Sequence, residues 1–291
     1  MTTVLDQEST EPGPVGPAAQ YEAAAKRWPT IGSVSIVIPA LNEEENLGPV
    51  MATIPYDELA AAGCDLEVIV IDNASTDATA EVAVGLGATV YLQPARGYGN
   101  AYHTGFAMAR GDVIATGDAD CTYPFDALPG LLDHMHAGKV DFLSTNRLNR
   151  ANRAAMRWSH LVANHVLTAA NRGVFSAPFA DSQSGMWVFR REIWRHLDVR
   201  SGGMAFSQEI KNEAYVKGFR CDEVPIEYRR RGGEVKLNAL RDGTINVSQL
   251  AGHRFRARRT QVALRRLAEP MASLALPRPH GIDVPVQAGL S

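Results

Sequence analysis

Val113-Ile114-Ala115-Thr116-Gly117-Asp118-Ala119-Asp120 is the stretch on which the reading of the fold turns. An apolar run delivers two carboxylates spaced i, i+2. Along an extended exit from a strand, alternate side chains point the same way, so both acids can face one point at a sheet's edge. A few hard oxygen ligands of this kind suit Mg²⁺ or Mn²⁺ shared with a diphosphate. A D-x-D triplet by itself is more often a solvated turn or a helix cap, so its meaning depends on its surroundings.

Working outward, Asp112–Thr116 is the fourth of a series of strands. Ser33–Ile38 is a β-branched run ending at Pro39, Glu67–Ile71 ends at Asp72-Asn73, and Ala88–Leu92 leads to a helix around Tyr98–Ala109. Asn42 is placed to cap the helix after the first strand, with Glu45 three residues later. Ser75 is placed to cap the next one, with Asp77 in its first turn. Strands alternating with helices predict an α/β fold with a mostly parallel sheet covered on both faces. Such sheets take ligands outside the carboxyl ends of their strands, where Pro39–Glu43, Asp72-Asn73 and Asp118–Asp120 all fall. Further strands are expected at Val140–Ser144, Met186–Phe189 and Cys221–Ile226, with a helix near Phe206–Lys217.

Composition narrows the classes. The 291 residues are 45% hydrophobic and 21% charged, ordinary for a globular chain, and a net charge of -3 gives no case for nucleic-acid binding. Cys64, Cys121 and Cys221 lie far apart without metal-ligand spacing, which fits a reducing cytoplasm. No apolar run approaches the ~18 residues of a membrane span. No G-x-G-x-x-G follows the first strand and no G-x-x-x-x-G-K-[ST] occurs, which argues against dinucleotide oxidoreductases and P-loop NTPases. Residues 1–28 read as a disordered leader and 268–291 as a disordered tail. Between them, 29–267 form one domain: a nucleotide half at 33–122, an acceptor half at 123–240 and a basic helix at 241–267.

Charge is distributed unevenly. No Asp or Glu lies between Asp141 and Asp181, whereas Arg147, Arg150, Arg153, Arg157 and Arg172 do. Arginine forks match phosphate geometry, and Arg229-Arg230-Arg231-Gly232-Gly233 with Lys236 reads as a basic loop able to close over a diphosphate. Gly97 and Gly99 either permit a turn or let a substrate approach the backbone closely. The acid-free stretch Gly252–Leu267 is either a solvated terminal helix or one that lies on anionic lipid, on the inner face of a membrane.

Taken together, these pieces resemble family 2 glycosyltransferases of the GT-A fold, and within them the dolichyl/polyprenyl-phosphate sugar synthase-like branch. The resemblance rests on Val37–Glu44, Ile71–Asp77, Gly97–Ala101, Gly117–Asp120, Asp181–Gly185, Phe206–Glu209, Val224–Ile226 and Arg229–Leu237, in that order. It implies an inverting transferase using a GDP- or UDP-sugar and a divalent cation, with polyprenyl phosphate as acceptor. The alternatives are a hydroxyl on a small molecule or saccharide, and a nucleotide-sugar-binding protein without turnover. By family position, Pro39, Ala40, Leu41, Glu43, Ile71, Asp72, Asn73 and Gly97 line the nucleotide pocket. Asp118, Ala119 and Asp120 serve ribose, diphosphate and metal; Arg147, Arg230 and Lys236 contact phosphate, with Arg231 an alternative. For a hydroxyl acceptor, Asp181 or Glu209 is the candidate base. Two departures stand out: Asn73 where relatives often carry a second acid that reads the base, and Thr122 where lipid-phosphate mannosyl enzymes commonly have Gln. A homodimer stays open.

Overall fold

The computed structural model describes residues 27–156, 158–232 and 249–256. Residues 1–26 of the expected leader, the tail, Lys236 and most of the basic helix expected at 241–267 lie outside the described residues; Trp28, at the leader's end, is buried and donates its Nε1–H to Asp133 Oδ1 at 2.8 Å, and 249–256 are helical.

Seven strands form one sheet: β1 (Ser33–Ala40), β2 (Asp65–Asp72), β3 (Thr89–Leu92), β4 (Val113–Thr116), β5 (Phe142–Asn146), β6 (Trp187–Arg190) and β7 (Cys221–Pro225). Their order is β3-β2-β1-β4-β6-β5-β7. Pairing is parallel except where β6 runs antiparallel to both β4 and β5. Because β6 is reversed between them, β5 and β7 point the same way as β4. The carboxyl ends of β1, β2, β4, β5 and β7 therefore meet at one edge, and β6 starts there.

Helices cover both faces: α1 (Glu44–Met51), α2 (Tyr56–Ala61), α3 (Thr79–Gly85), α4 (Tyr98–Met108), α5 (Leu128–Ala137), α6 (Trp158–Phe175), α7 (Arg191–Trp194) and α8 (Phe206–Val216). A strand buried on both faces needs no polar alternation. Thus Ile36 and Ile38 enter one core layer with Leu47, Phe125 and Leu132, while Val37 enters the other with Phe106, Trp187 and Phe206. Such layers exclude water from the sheet and hold its carboxyl-end loops in register.

The strand boundaries fall within two residues of those expected, but the caps do not. Asn42 does not cap α1; it adopts φ 53° and its Oδ1 accepts from Thr76 N–H at 2.8 Å. Ser75 does not cap α3, which begins four residues later; its N–H donates to Asp72 Oδ1 at 3.0 Å and its Oγ accepts from Asn42 N–H. Asp77 precedes α3 rather than entering its first turn, and accepts from Thr79 N–H at 3.1 Å. These polar side chains bond across two loops, stitching the exits of β1 and β2 together, because both exits reach the same edge.

Candidate active site

β4 delivers Asp118 and Asp120 to that shared edge. Asp118 is half-buried and Asp120 is buried at 4% exposure. Tyr98, at the start of α4, donates its hydroxyl to Asp118 Oδ1 at 3.1 Å. Gly185, just before β6, packs so closely that a Cβ there would lie 2.2 Å from Tyr98 Oη and 3.5 Å from Asp118 Oδ1. Burial and the neighbouring Asp120 carboxylate push Asp118 up to about 7, against the pull of Arg231, Tyr98 and Arg147. A carboxyl so raised lies among too few cations for its charge, an environment that favours a divalent ion.

Asp120 is held more firmly. Thr122 donates its backbone N–H at 3.1 Å and its hydroxyl at 2.5 Å to Asp120 Oδ1, while Arg231 pairs with Oδ2. Thr122 therefore orients a carboxylate, which is how the departure from the Gln pattern is used here. The backbone of the basic loop is tied to the same turn, with Arg229 N–H on Thr122 O and Gly232 N–H on Asp120 O, each at 2.9 Å. Of the two arginines weighed, Arg231 reaches the acid pair, and Arg230 is exposed. Among the described residues no group of three or more His, Cys, Asp or Glu could hold a metal. Two acids on one side fit a cation whose remaining ligands come from a bound diphosphate.

The residues expected to line the nucleotide pocket divide into two kinds. Pro39, Leu41 and Glu43 stand half-buried at the end of β1, and Asp72 is buried at the end of β2 with one oxygen on Ser75. By contrast, Ala40, Ile71 and Ala119 bury their side chains in the core layers, so only their backbones reach the edge. Asn73 does not present its amide to a ligand. Its Nδ2 donates to Gln93 O at 3.1 Å and Ala95 O at 3.0 Å, and its Oδ1 accepts from Gly97 N–H at 2.7 Å. Both amide protons and one lone pair of its oxygen thus hold the β3–α4 loop, at the position where relatives often carry a base-reading acid. Gly97 has φ 148°, and a Cβ would lie 2.3 Å from Gly202 O; one on Gly99 would lie 2.1 Å from Ser201 O. The close approach these glycines allow is that of the chain's own backbone.

In the half expected to take the acceptor, Arg147 follows β5. Its Nε and Nη2 donate to Asp181 at 2.8 and 3.0 Å, its backbone N–H adds a third bond at 3.0 Å, and its guanidinium lies 5.4 Å from the Tyr228 ring. Burial opposes the Asp181 charge, but Arg147 outweighs it and holds the carboxyl below its usual range. Asp181 is fully buried, with Lys211 Nζ donating to its backbone oxygen at 2.6 Å. Glu209 accepts from Arg200 and Ser201 N–H at 3.1 and 2.8 Å, and its other oxygen pairs with Arg256. Both expected bases are thus buried and paired with internal partners.

Sequence patterns alone missed four residues here. Tyr98, Tyr123 and Tyr228 surround the acids, and burial raises the first two well above the ordinary phenol value, so they stay protonated donors. Lys211, in the middle of α8, is fully buried and lowered by that burial to about 8. Tyr98 sits between two singled-out glycines, which was the available hint; Lys211 carried none.

The chain matches the family described as Glycosyl transferase family 2 over residues 35–197. It belongs to that family. The glycosyltransferase is 39% identical over 219 residues to the low-salt glycan biosynthesis hexosyltransferase Agl6 of Haloferax volcanii, covering 74% of this chain and 52% of that one. The match thus spans about half the length of that relative. It is 30% identical over 214 residues to a dolichyl-phosphate hexose transferase of the same organism, covering 74% and 90%. Among solved structures, glucosyl-3-phosphoglycerate synthase from Mycobacterium tuberculosis, in complex with Mn²⁺, UDP and glucosyl-3-phosphoglycerate, superposes with TM-score 0.60 at 25% identity, covering 76% and 79%. The sheet order and flanking helices are accordingly those of the GT-A fold.

Proposed function

We propose that this glycosyltransferase moves a hexose from a UDP- or GDP-sugar to a polyprenyl phosphate with inversion at the anomeric carbon. The observation that carries the acceptor choice is the commitment of Asp181 and Glu209 to Arg147 and Arg256. A hydroxyl acceptor needs a base within hydrogen-bond reach, whereas a phosphate oxygen is already anionic near pH 7. The dolichyl-phosphate hexose transferase relative supports the same reading.

Asp118 and Asp120 would hold Mg²⁺ or Mn²⁺. Such a cation, when bound, neutralises charge developing on the departing nucleoside diphosphate. Tyr98 and Thr122 fix the rotamers of the two acids, so little reorganisation is left for the reaction itself. Arg231, which pairs with Asp120, is positioned to exchange that carboxylate for a phosphate oxygen as the donor enters. Arg147 keeps a buried positive charge beside the edge where an anionic acceptor would arrive. The acceptor oxygen then bonds to the anomeric carbon as the bond to the diphosphate breaks, and no proton has to move.

The structure of glucosyl-3-phosphoglycerate synthase favours a second reading, a small-molecule hydroxyl as acceptor. Offering short-chain polyprenyl phosphate and the matching polyprenol separates the two. Product with the phosphate alone is expected. Product from polyprenol or a polar hydroxyl acceptor, with none from the phosphate, would overturn the proposal.

A further inference from the structure

Helix α6 turns its sides the wrong way round for a helix facing water. At 3.6 residues per turn, its exposed residues Trp158, Ser159, Val162, His165, Val166, Ala169, Arg172 and Gly173 fall within an arc of about 140°. Within that arc Trp158, Val162, Val166 and Ala169 form a continuous apolar ridge, with Trp158 76%, Val162 42% and Val166 61% exposed. The inward side is in part polar. Thr168 and Ser182 exchange hydrogen bonds at 3.1 Å, and the amides of Asn171 and Asn212 bond reciprocally at 3.1 and 2.6 Å. Those bonds fix the rotation of α6, so the ridge cannot roll inward without leaving buried amides unpaired.

The charge on the ridge's own segment has one sign. Arg150, Arg153 and Arg172 are exposed and have no carboxylate partner among the described residues, and no acid occurs between Asp141 and Asp181. We infer that the α6 ridge, with these arginines, seats the protein on an anionic phospholipid bilayer. A convex apolar ridge with an interfacial tryptophan and flanking cations suits a lipid surface. A second copy docking by the same face would set like charges against each other across a two-fold axis.

The placement connects to the active site. Asn149 caps the turn Arg150–Ala154, and Asn152 Nδ2 donates to Arg147 O at 2.9 Å and to Ile226 O at 2.8 Å. The start of α6 is thereby anchored beside the arginine end of the edge. Seating the ridge brings that edge toward the membrane surface. This inference deepens the lipid-phosphate reading, yet its test does not need turnover.

Trp28 and Trp187 are buried and Trp194 half-buried, so Trp158 is the reporter among four tryptophans. The full chain is mixed with phosphatidylglycerol-containing vesicles carrying brominated acyl chains, and with phosphatidylcholine vesicles. Quenching and a blue shift on the anionic vesicles are expected, absent in Trp158→Phe. A Val162→Glu/Val166→Glu double variant should partition at least tenfold more weakly, with circular dichroism and nucleotide binding unchanged. Wild-type quenching in Trp158→Phe, or wild-type partitioning of the double variant, would overturn the proposal. So would a wild-type chain that ignores vesicles but elutes as a dimer split by the double variant, which would assign the ridge to a second copy. Failure here with nucleotide binding intact would leave the transferase reading standing.

Discussion

Asp118 and Asp181 stand at the same edge of one sheet, yet their surroundings give them opposite properties. Asp181 is enclosed with Arg147, which supplies two side-chain donors and a backbone N–H, and its charge is fully met. Asp118 meets a tyrosine hydroxyl and a second carboxylate, and is pushed up to about 7. Burial alone does not tell an active acid from a structural one; the sign and number of its neighbours do. The Asp118 end of the edge thus keeps an unmet demand for positive charge, while Asp181 has its charge met internally.

Several substitutions would break or sharpen this contrast. The largest effect is expected from Asp120→Asn, with turnover falling on the order of a thousandfold while circular dichroism stays native. Near-wild-type turnover at saturating metal would remove Asp120 from the ligand pair. Asp181→Asn should act on stability instead, because it leaves Arg147 buried without its counter-charge, at a cost of about 3–5 kcal/mol. Thermal unfolding should then shift down by on the order of 10 °C. An unshifted melting curve with turnover abolished would make Asp181 a base and dissolve the contrast.

A smaller effect is expected from Tyr98→Phe, which removes one charge-assisted bond to Asp118 and should weaken Mn²⁺–nucleotide affinity about tenfold. If affinity is unchanged, Asp118 is positioned by other contacts.

The smallest effect concerns pH. Burial lowers Lys211 from 10.5 to about 8, so between those values the unfolded chain binds a proton that the folded chain does not. Wild-type stability should therefore rise relative to Lys211→Met as pH climbs from 8 toward 10, by at most about 1.4 kcal/mol per pH unit. Parallel denaturation curves at pH 7 and 9 would show that Lys211 is not the buried cation described.

What could be read from the sequence follows from how local each feature is. β4 and its acids were legible because an apolar run followed by an i, i+2 pair is a property of consecutive residues. So was the mostly parallel α/β sheet, since β1, β2 and β4 read as buried strands with polar residues at their ends; the GT-A fold followed from the resemblance to family 2 glycosyltransferases. The hydrogen bonds of Asn73 were not legible, because Gln93, Ala95 and Gly97 approach it only after β3 pairs with β2. The pairing of Asp181 with Arg147 and of Glu209 with Arg256 was hidden for the same reason, since the partners are remote in sequence. Reversed β6 lacks any local signal of direction, yet it sets Gly185 against Asp118.

The most direct test of the account is calorimetric titration of UDP and GDP into the wild-type chain and Asp120→Asn, with Mn²⁺ and with chelator. One of the two nucleotides should bind the wild-type chain with Mn²⁺, and bind at least tenfold more weakly with chelator or in Asp120→Asn. If neither binds, or if binding ignores both the metal and Asp120, the acid pair is not the centre of this site.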